Sequence, residues 1–241
     1  MALLIKRTLD TEGKLTILSR DSRYDLACAC GTSDDEHRRR SKENKWIYPV
    51  LLPNGVYTYL FKILLSNACV NNCMYCPLRA EVETERCSLL PQELVQVFLS
   101  YYRARRVSGL FLSSAVTTNP DSTMEQINET ARILRKMQFR GYIHLKIIPG
   151  ASNAAIRQSL ALANAVSLNI ETAGENNFKY LTTTKDYSLD ILRPIQLISA
   201  LTAKGAAYCG VKQTTQFVSA PPTKQIRKLL ITLGTCTRSG V

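Results

Sequence analysis

Five short apolar runs alternate with five segments of helical periodicity between Tyr59 and the end of the chain, and this alternation constrains the fold more than any other feature. The runs are Tyr59–Leu65, Leu110–Ser113, Tyr142–Ile148, Val166–Ile170 and Gln216–Val218, each of a length and composition that reads as a buried strand. After the first, Pro91 suits an opening helical position, and Leu94, Val97, Phe98 and Tyr101 recur at helical spacing. Ser122 and Glu125 then form a capping-box pair ahead of Ile127, Ala131 and Leu134. Ser152 is placed to cap a helix carrying Ile156, Leu160 and Ala163, and Pro194 to open one that passes Ile198 and Leu201 and stops at Gly205. Thr223 is placed to cap the last, with Ile226, Leu229, Leu230 and Leu233. Strands joined by helical crossovers lie parallel, so the expected class is α/β, with helices covering a parallel sheet.

A hydrophobic share of 45% against 21% charged residues in 241 is that of a chain able to bury a core, and no apolar run approaches the roughly 18 residues that span a bilayer. With no secretory core segment after Met1, the expected location is cytoplasmic, with no membrane partner. Eight cysteines therefore point to metal or redox chemistry rather than disulfides. Three of them, Cys69, Cys73 and Cys76, are spaced C-x3-C-x2-C, an arrangement a shuffled chain of this composition would show about 0.009 times. Three thiolates within eight residues suit three irons of a cubane cluster with the fourth iron open, which is what a reactive site requires. A structural zinc usually takes four ligands from separated pairs, and Cys28, Cys30 or Cys87 keeps that alternative open as a source of the fourth.

The three-cysteine loop, with Tyr75 just before its last cysteine, resembles the radical SAM superfamily. That resemblance implies a 4Fe-4S cluster whose open iron chelates S-adenosylmethionine and whose electron cleaves it to a 5′-deoxyadenosyl radical. The surrounding segments resemble the superfamily's DNA modification or repair subfamily: Lys14-Leu15 through Ser22-Arg23-Tyr24-Asp25-Leu26-Ala27-Cys28, the approach to the cysteines from Leu60, Gly109 to Ser114, Phe139 to Gly150, Val166 to Glu171, and Gln213 to Phe217. The resemblance covers most of residues 14–220. It selects a partial (β/α) barrel over a doubly wound sheet, in residues 58–241, after an amino-terminal segment of residues 1–57 with a charged loop between Gly31 and Asn44. A radical SAM barrel has six strand-helix units and about five are counted here, so the sixth is expected to be missing. The subfamily's helix-hairpin-helix-like region has no counterpart either.

In parallel barrels ligands sit at the carboxyl ends of the strands, and the cysteine loop directly follows the first strand. Ser113-Ser114-Ala115, after the second strand, stands where the superfamily has a glycine-rich turn at the methionine amino group; without the resemblance it reads as an ordinary small-residue turn. Alternation on the third strand sends Ile143, Leu145 and Ile147 toward helices and Tyr142, His144 and Lys146 toward the lumen, where Lys146 can hold a carboxylate. Asn169 and Glu171 share a face by the same alternation and suit the ribose hydroxyls or amino group of S-adenosylmethionine; a purely structural Lys146–Glu171 pair is the alternative. Gln213, with Thr215 and Gln216, precedes or lies on the fifth strand, where the superfamily contacts adenine and ribose. Cys28 and Cys30 read as small buried residues, Cys87, Cys209 and Cys236 as structural thiols, and His37 as part of the charged loop.

The resemblance thus implies a radical enzyme acting on DNA or another nucleic acid, an electron donor such as flavodoxin or ferredoxin, and a uracil-DNA glycosylase-like partner. The alternative is a catalytically inactive, truncated member acting as a metal- or nucleic-acid-binding protein. The net charge of +12 is spread along the chain, and residues 222–241 carry Lys224, Arg227, Lys228 and Arg238 with no acid. Such a balance suits a phosphate-rich partner bound weakly and in a salt-sensitive way. No set of stacking aromatics stands out in the sequence, so strandedness is left open.

Overall fold

A computed structural model describes residues 9–22, 47–51 and 54–217. Strand β1 (Ile47–Leu51) lies antiparallel to β2 (Tyr57–Leu64), and β3 (Gly109–Ser113), β4 (Tyr142–Lys146), β5 (Ala165–Ser167) and β6 (Lys212–Thr214) follow in spatial order, each parallel to the last. Helix α1 (Thr11–Asp21) precedes the sheet; α2 (Pro91–Arg103), α3 (Pro120–Lys136) and α4 (Asn153–Leu162) are the crossovers. The connection from β5 to β6 holds α5 (Glu175–Phe178), a π-helical turn (Tyr187–Leu192) and α6 (Arg193–Thr202). Cys28, Cys30, Cys236, the charged loop with His37, and the helix expected from Thr223 lie outside the described residues.

The helices form where periodicity places them, with one shift of cap. Pro91 opens α2, and Ser152 caps α4 by accepting from the Ala155 N–H at 3.3 Å. The cap of α3 is Asn119 rather than Ser122: Asn119 Oδ1 accepts the Ser122 N–H at 2.8 Å, and Pro120 takes the first helical position. The fifth parallel strand also differs from expectation, running at Lys212–Thr214 rather than Gln216–Val218, because Ala165 and Ser167 set its register.

Register sorts the sheet into two faces. Phe61, Leu110 and Ile143 form one aligned row and Ile63, Leu112, Leu145 and Val166 the next, all with no exposed surface. They pack against Leu94, Phe98, Met124, Ile127, Leu134, Ile156 and Ile198 of the helices in a single core. The opposite face is the barrel lumen, and its polar members are accounted for one by one. Lys62 is buried 4.8 Å from the Tyr48 ring centroid, and His144 Nε2 lies 2.9 Å from Ser167 Oγ with its ring on Phe111. At the carboxyl end of that face the row is Leu64, Ser113, Lys146, Ser167 and Thr214.

Candidate active site

The cysteines lie in the long return from β2 to α2, and local hydrogen bonds shape it. Leu65 N–H donates to Ser113 carbonyl at 2.8 Å, and Val70 N–H to Val116 carbonyl at 2.8 Å, which lays the loop's entry against the end of β3. Asn67, fully buried, donates from Nδ2 to Asp21 Oδ2 (2.7 Å) and Glu85 carbonyl (2.8 Å) and accepts the Cys87 N–H (2.8 Å), joining α1 to both limbs of the loop. Arg86 spreads its guanidinium over four carbonyls, Asn67 and Leu78 from one nitrogen and Arg79 and Val82 from the other. Between Cys69 and Cys73, Asn72 Oδ1 accepts from Thr182 Oγ1 (2.9 Å), Thr183 N–H (3.2 Å) and Thr184 Oγ1 (3.2 Å). The cysteine segment is thereby fixed to the chain that follows α5.

Cys69, Cys73 and Cys76 line one cavity of about 170 Å³ at the carboxyl ends of the strands, together with Tyr75, Ser113, Ser114, Lys146, Asn169 and Glu171. Gln213 stands apart from the cavity lining, its amide donating to Ile195 carbonyl at 3.1 Å; Gln216, beyond the end of β6, reaches the lining only through Lys146, whose Nζ donates to its Oε1 at 3.2 Å. Asp21 and Lys185 also line the cavity, and sequence reasoning passed over both. The alternation invoked for Asn169 and Glu171 does not operate there, since β5 ends at Ser167. Glu171 reaches the cavity through a left-handed backbone, φ 64°, with its N–H on Gln216 carbonyl at 3.3 Å.

The electrostatics are those of a partly dehydrated pocket. Burial pushes the Glu171 carboxyl above its usual range, opposed by hydrogen bonding from Tyr75, the charges of Lys185 and Lys146, and the Asn169 side chain. Burial likewise raises the Cys76 thiol, against a backbone hydrogen bond at Leu78. The Tyr75 hydroxyl is held far above its ordinary value by burial, Glu171 and Cys73. Two buried oxygens, Asn169 Oδ1 and Glu171 Oε2, have no hydrogen-bond partner. Among the described residues no three His, Cys, Asp or Glu side chains are gathered as a single-ion metal site.

No family model and no curated protein matches the chain. Solved structures do. The FeFe-hydrogenase maturase HydG from Carboxydothermus hydrogenoformans superposes with a TM-score of 0.52 and 19% identity, over 65% of this chain and 35% of that one. Methylornithine synthase, PylB, gives 0.57 and 15% over 74% and 50%. The cobalamin-dependent S-adenosylmethionine radical enzyme OxsB, with aqua-cobalamin and S-adenosylmethionine bound, gives 0.50 and 11% over 76% and 31%. The fold is the partial barrel of the radical SAM enzymes. The chain spans a third to a half of the length of these proteins. At such identities the likeness speaks for the fold alone.

Proposed function

We propose that this chain is a radical SAM enzyme in which Cys69, Cys73 and Cys76 hold a 4Fe-4S cluster, the strand ends hold S-adenosylmethionine, and the substrate is DNA or another nucleic acid. The observation that carries the reading is the cavity itself, where three thiols and two unpartnered buried acceptors meet at the carboxyl ends of parallel strands. The residues present suit the group. A single zinc with Zn–S bonds of about 2.3 Å would draw its thiolates to roughly 3.8 Å of one another. Three thiols that line one cavity without being gathered as a single-ion site among the described residues suit a polynuclear centre with one thiolate per iron.

When bound, the cluster supplies the electron that cleaves S-adenosylmethionine to a carbon radical. The protein's own part is positional. Glu171 Oε2 and Asn169 Oδ1 accept hydrogen bonds from hydroxyl or ammonium donors of the ligand, which relieves their burial. Lys146 and Lys185 bring positive charge to the same wall, where a carboxylate is attracted. Leu64, Val116, Ile147, Ile148 and Leu168 line the remainder and keep water from the reacting atoms. The +12 charge supports a polyanionic substrate, and an electron donor of the flavodoxin or ferredoxin class completes the proposal.

Anaerobic reconstitution tests it. The reconstituted protein should bind about four irons per chain and, once reduced, release 5′-deoxyadenosine. In calorimetry Glu171→Ala should weaken S-adenosylmethionine binding more than Cys87→Ala. Stoichiometric zinc without iron, or a cluster retained after all three cysteines become alanine, would overturn the assignment.

A further inference from the structure

The opposite end of the barrel carries a second concavity, of about 460 Å³, bounded by Tyr57, Tyr59, Tyr102, Arg103, Arg105 and Arg106. Its aromatics come from two elements. Tyr57 and Tyr59 alternate along β2 onto the face that packs against α2, but they lie beyond the helix's end and are 49% and 46% exposed. Tyr102, 38% exposed, is braced by Phe98, stacked at 6.1 Å, and by Phe139, edge-on at 4.8 Å.

The cations follow from the way α2 stops. Arg105 takes a left-handed conformation (φ 57°), its N–H bonded to Tyr102 carbonyl at 2.9 Å, and the next N–H, of Arg106, returns to Tyr101 carbonyl at 3.0 Å. The chain doubles back there, and all three arginines fall around the concavity, exposed. No acidic side chain lines it, and none of the three arginines makes an ion pair among the described residues. Elsewhere among the described residues Arg20, Arg79 and Arg132 pair with acids, and Arg86 and Arg135 donate to backbone carbonyls.

We propose that this surface docks single-stranded nucleic acid, with Tyr57, Tyr59 and Tyr102 stacking unpaired bases and Arg103, Arg105 and Arg106 holding the phosphates between them. Each base offers a face that an exposed ring covers regardless of sequence, and each phosphate offers the negative charge that the three guanidiniums, Arg106 over the Tyr101 ring among them, do not meet among the described residues. A duplex keeps its base faces inside the stack and meets the arginines alone. The six residues fall in two groups more than forty positions apart in the chain, so the set exists only once β2 and α2 are packed together.

The surface is not a second wall of the cysteine cavity. Gly109 to Ser113 of β3, which runs from one to the other, measures roughly 13 Å at 3.3 Å per residue, so a strand docked here is anchored away from the reacting atoms. The inference deepens the nucleic-acid reading above, and rests on it for the identity of the substrate. It does not need the cluster.

Fluorescence anisotropy with a labelled thymidine oligomer of about 12 nucleotides, across a salt series, tests it in the full chain. The single strand should bind more tightly than a duplex of equal length. Arg103→Gln with Arg105→Gln and Arg106→Gln should lower the affinity and reduce the slope of log K against log salt by about 2, at 0.7 per lost single-strand phosphate contact. Tyr57→Thr with Tyr59→Thr should lower affinity by roughly tenfold or more and leave that slope unchanged, while the two Tyr→Phe changes retain binding. Melting temperatures report folding of each variant. Binding indifferent to both sets, a preference for duplex, loss only when Lys224, Arg227, Lys228 and Arg238 are neutralised, or capture by phosphatidylglycerol vesicles with the oligomer ignored would each overturn it. The same titration with Cys69, Cys73 and Cys76 all changed to alanine separates the two proposals: retained binding sustains the docking surface whatever reconstitution shows, and lost binding in a folded variant refutes its placement.

Discussion

Arg86→Ala should release the cysteine loop without unfolding the barrel. The guanidinium donates to Asn67 carbonyl at 2.5 Å, Leu78 at 2.8 Å, Arg79 at 2.9 Å and Val82 at 2.8 Å. Asn67 lies two residues before Cys69 and Leu78 two after Cys76, so one side chain fastens both ends of the segment that carries all three thiols. A hydrogen bond from a charged donor contributes about 1.5–3 kcal/mol net, but the four share one charge and water reaches the half-buried group, so they do not add. We place the loss at about 3 kcal/mol, which is roughly a hundredfold in a local opening equilibrium. Hydrogen exchange followed by mass spectrometry reads this directly. The amides of Cys76, Arg79 and Ala80, bonded within the loop to Cys73, Cys76 and Asn71 carbonyls, should exchange about a hundredfold faster, while those of β3 and β4 are unchanged. Arg86→Lys should fall between, because one ammonium cannot span four carbonyls. Exchange in Arg86→Ala indistinguishable from the parent at those amides would refute the reasoning.

Other consequences follow from burial and close approach. Burial raises the Glu171 pKa above its ordinary 4.5, so its contribution to stability is complete below that pH and is lost as pH rises through the folded-state value. Glu171→Gln should therefore melt higher than the parent at alkaline pH, with the difference vanishing near pH 4; the opposite trend would contradict a raised pKa. Burial, with Glu85 and Asp21, pushes the Cys87 thiol up to about 11, which leaves about one thiolate in a thousand at pH 8. Mass spectrometry after limited alkylation should find exposed Cys209 modified well before Cys87. Gly109→Ala would place a methyl carbon 2.6 Å from Tyr142 carbonyl oxygen across the β3–β4 pair, and should cost about 1–3 kcal/mol in a denaturant titration.

Strands β2, β3 and β4 were legible because each is covered on its helix side by an apolar row and reads as a short, mostly apolar run, and α2 and α4 because proline and serine mark their starts. The sheet's edges were not. At one edge β1 contains Pro49, which a central strand would exclude, and pairs only with β2. At the other, β6 is the polar Lys212-Gln213-Thr214, half exposed, and its place is dictated by Ala165, Val166 and Ser167 rather than by its own composition. The more apolar Gln216-Phe217-Val218 drew the expectation four residues too far, whereas Gln213 lies within β6 with its amide on Ile195 carbonyl and Gln216 beyond it accepts from Lys146. The cysteine spacing was visible because its partners are neighbours in sequence. Asp21 lies 46 positions from Asn67, and Asn72 about 110 from its threonines, so nothing local announced those contacts.

Glu171 brings several of these threads to one residue. A non-glycine side chain at φ 64° and a buried carboxylate oxygen with no partner each oppose folding, by about 1–3 kcal/mol apiece. Glutamine would remove the charge and glycine the backbone strain, yet neither stands here. The neighbouring Asn169 leaves a second acceptor unpartnered beside the same cavity, so two buried oxygens there stand without a hydrogen bond although Tyr75 and the Asn169 side chain serve the rest of the Glu171 carboxyl. A ligand that brings donors to both oxygens would bind where folding has left them shielded from water, and its hydrogen bonds to those two atoms would not have to displace bonds already made within the protein. That reasoning favours a ligand with several hydroxyl or ammonium donors on one edge over an apolar one, and it depends on Glu171 and Asn169 rather than on the cysteines.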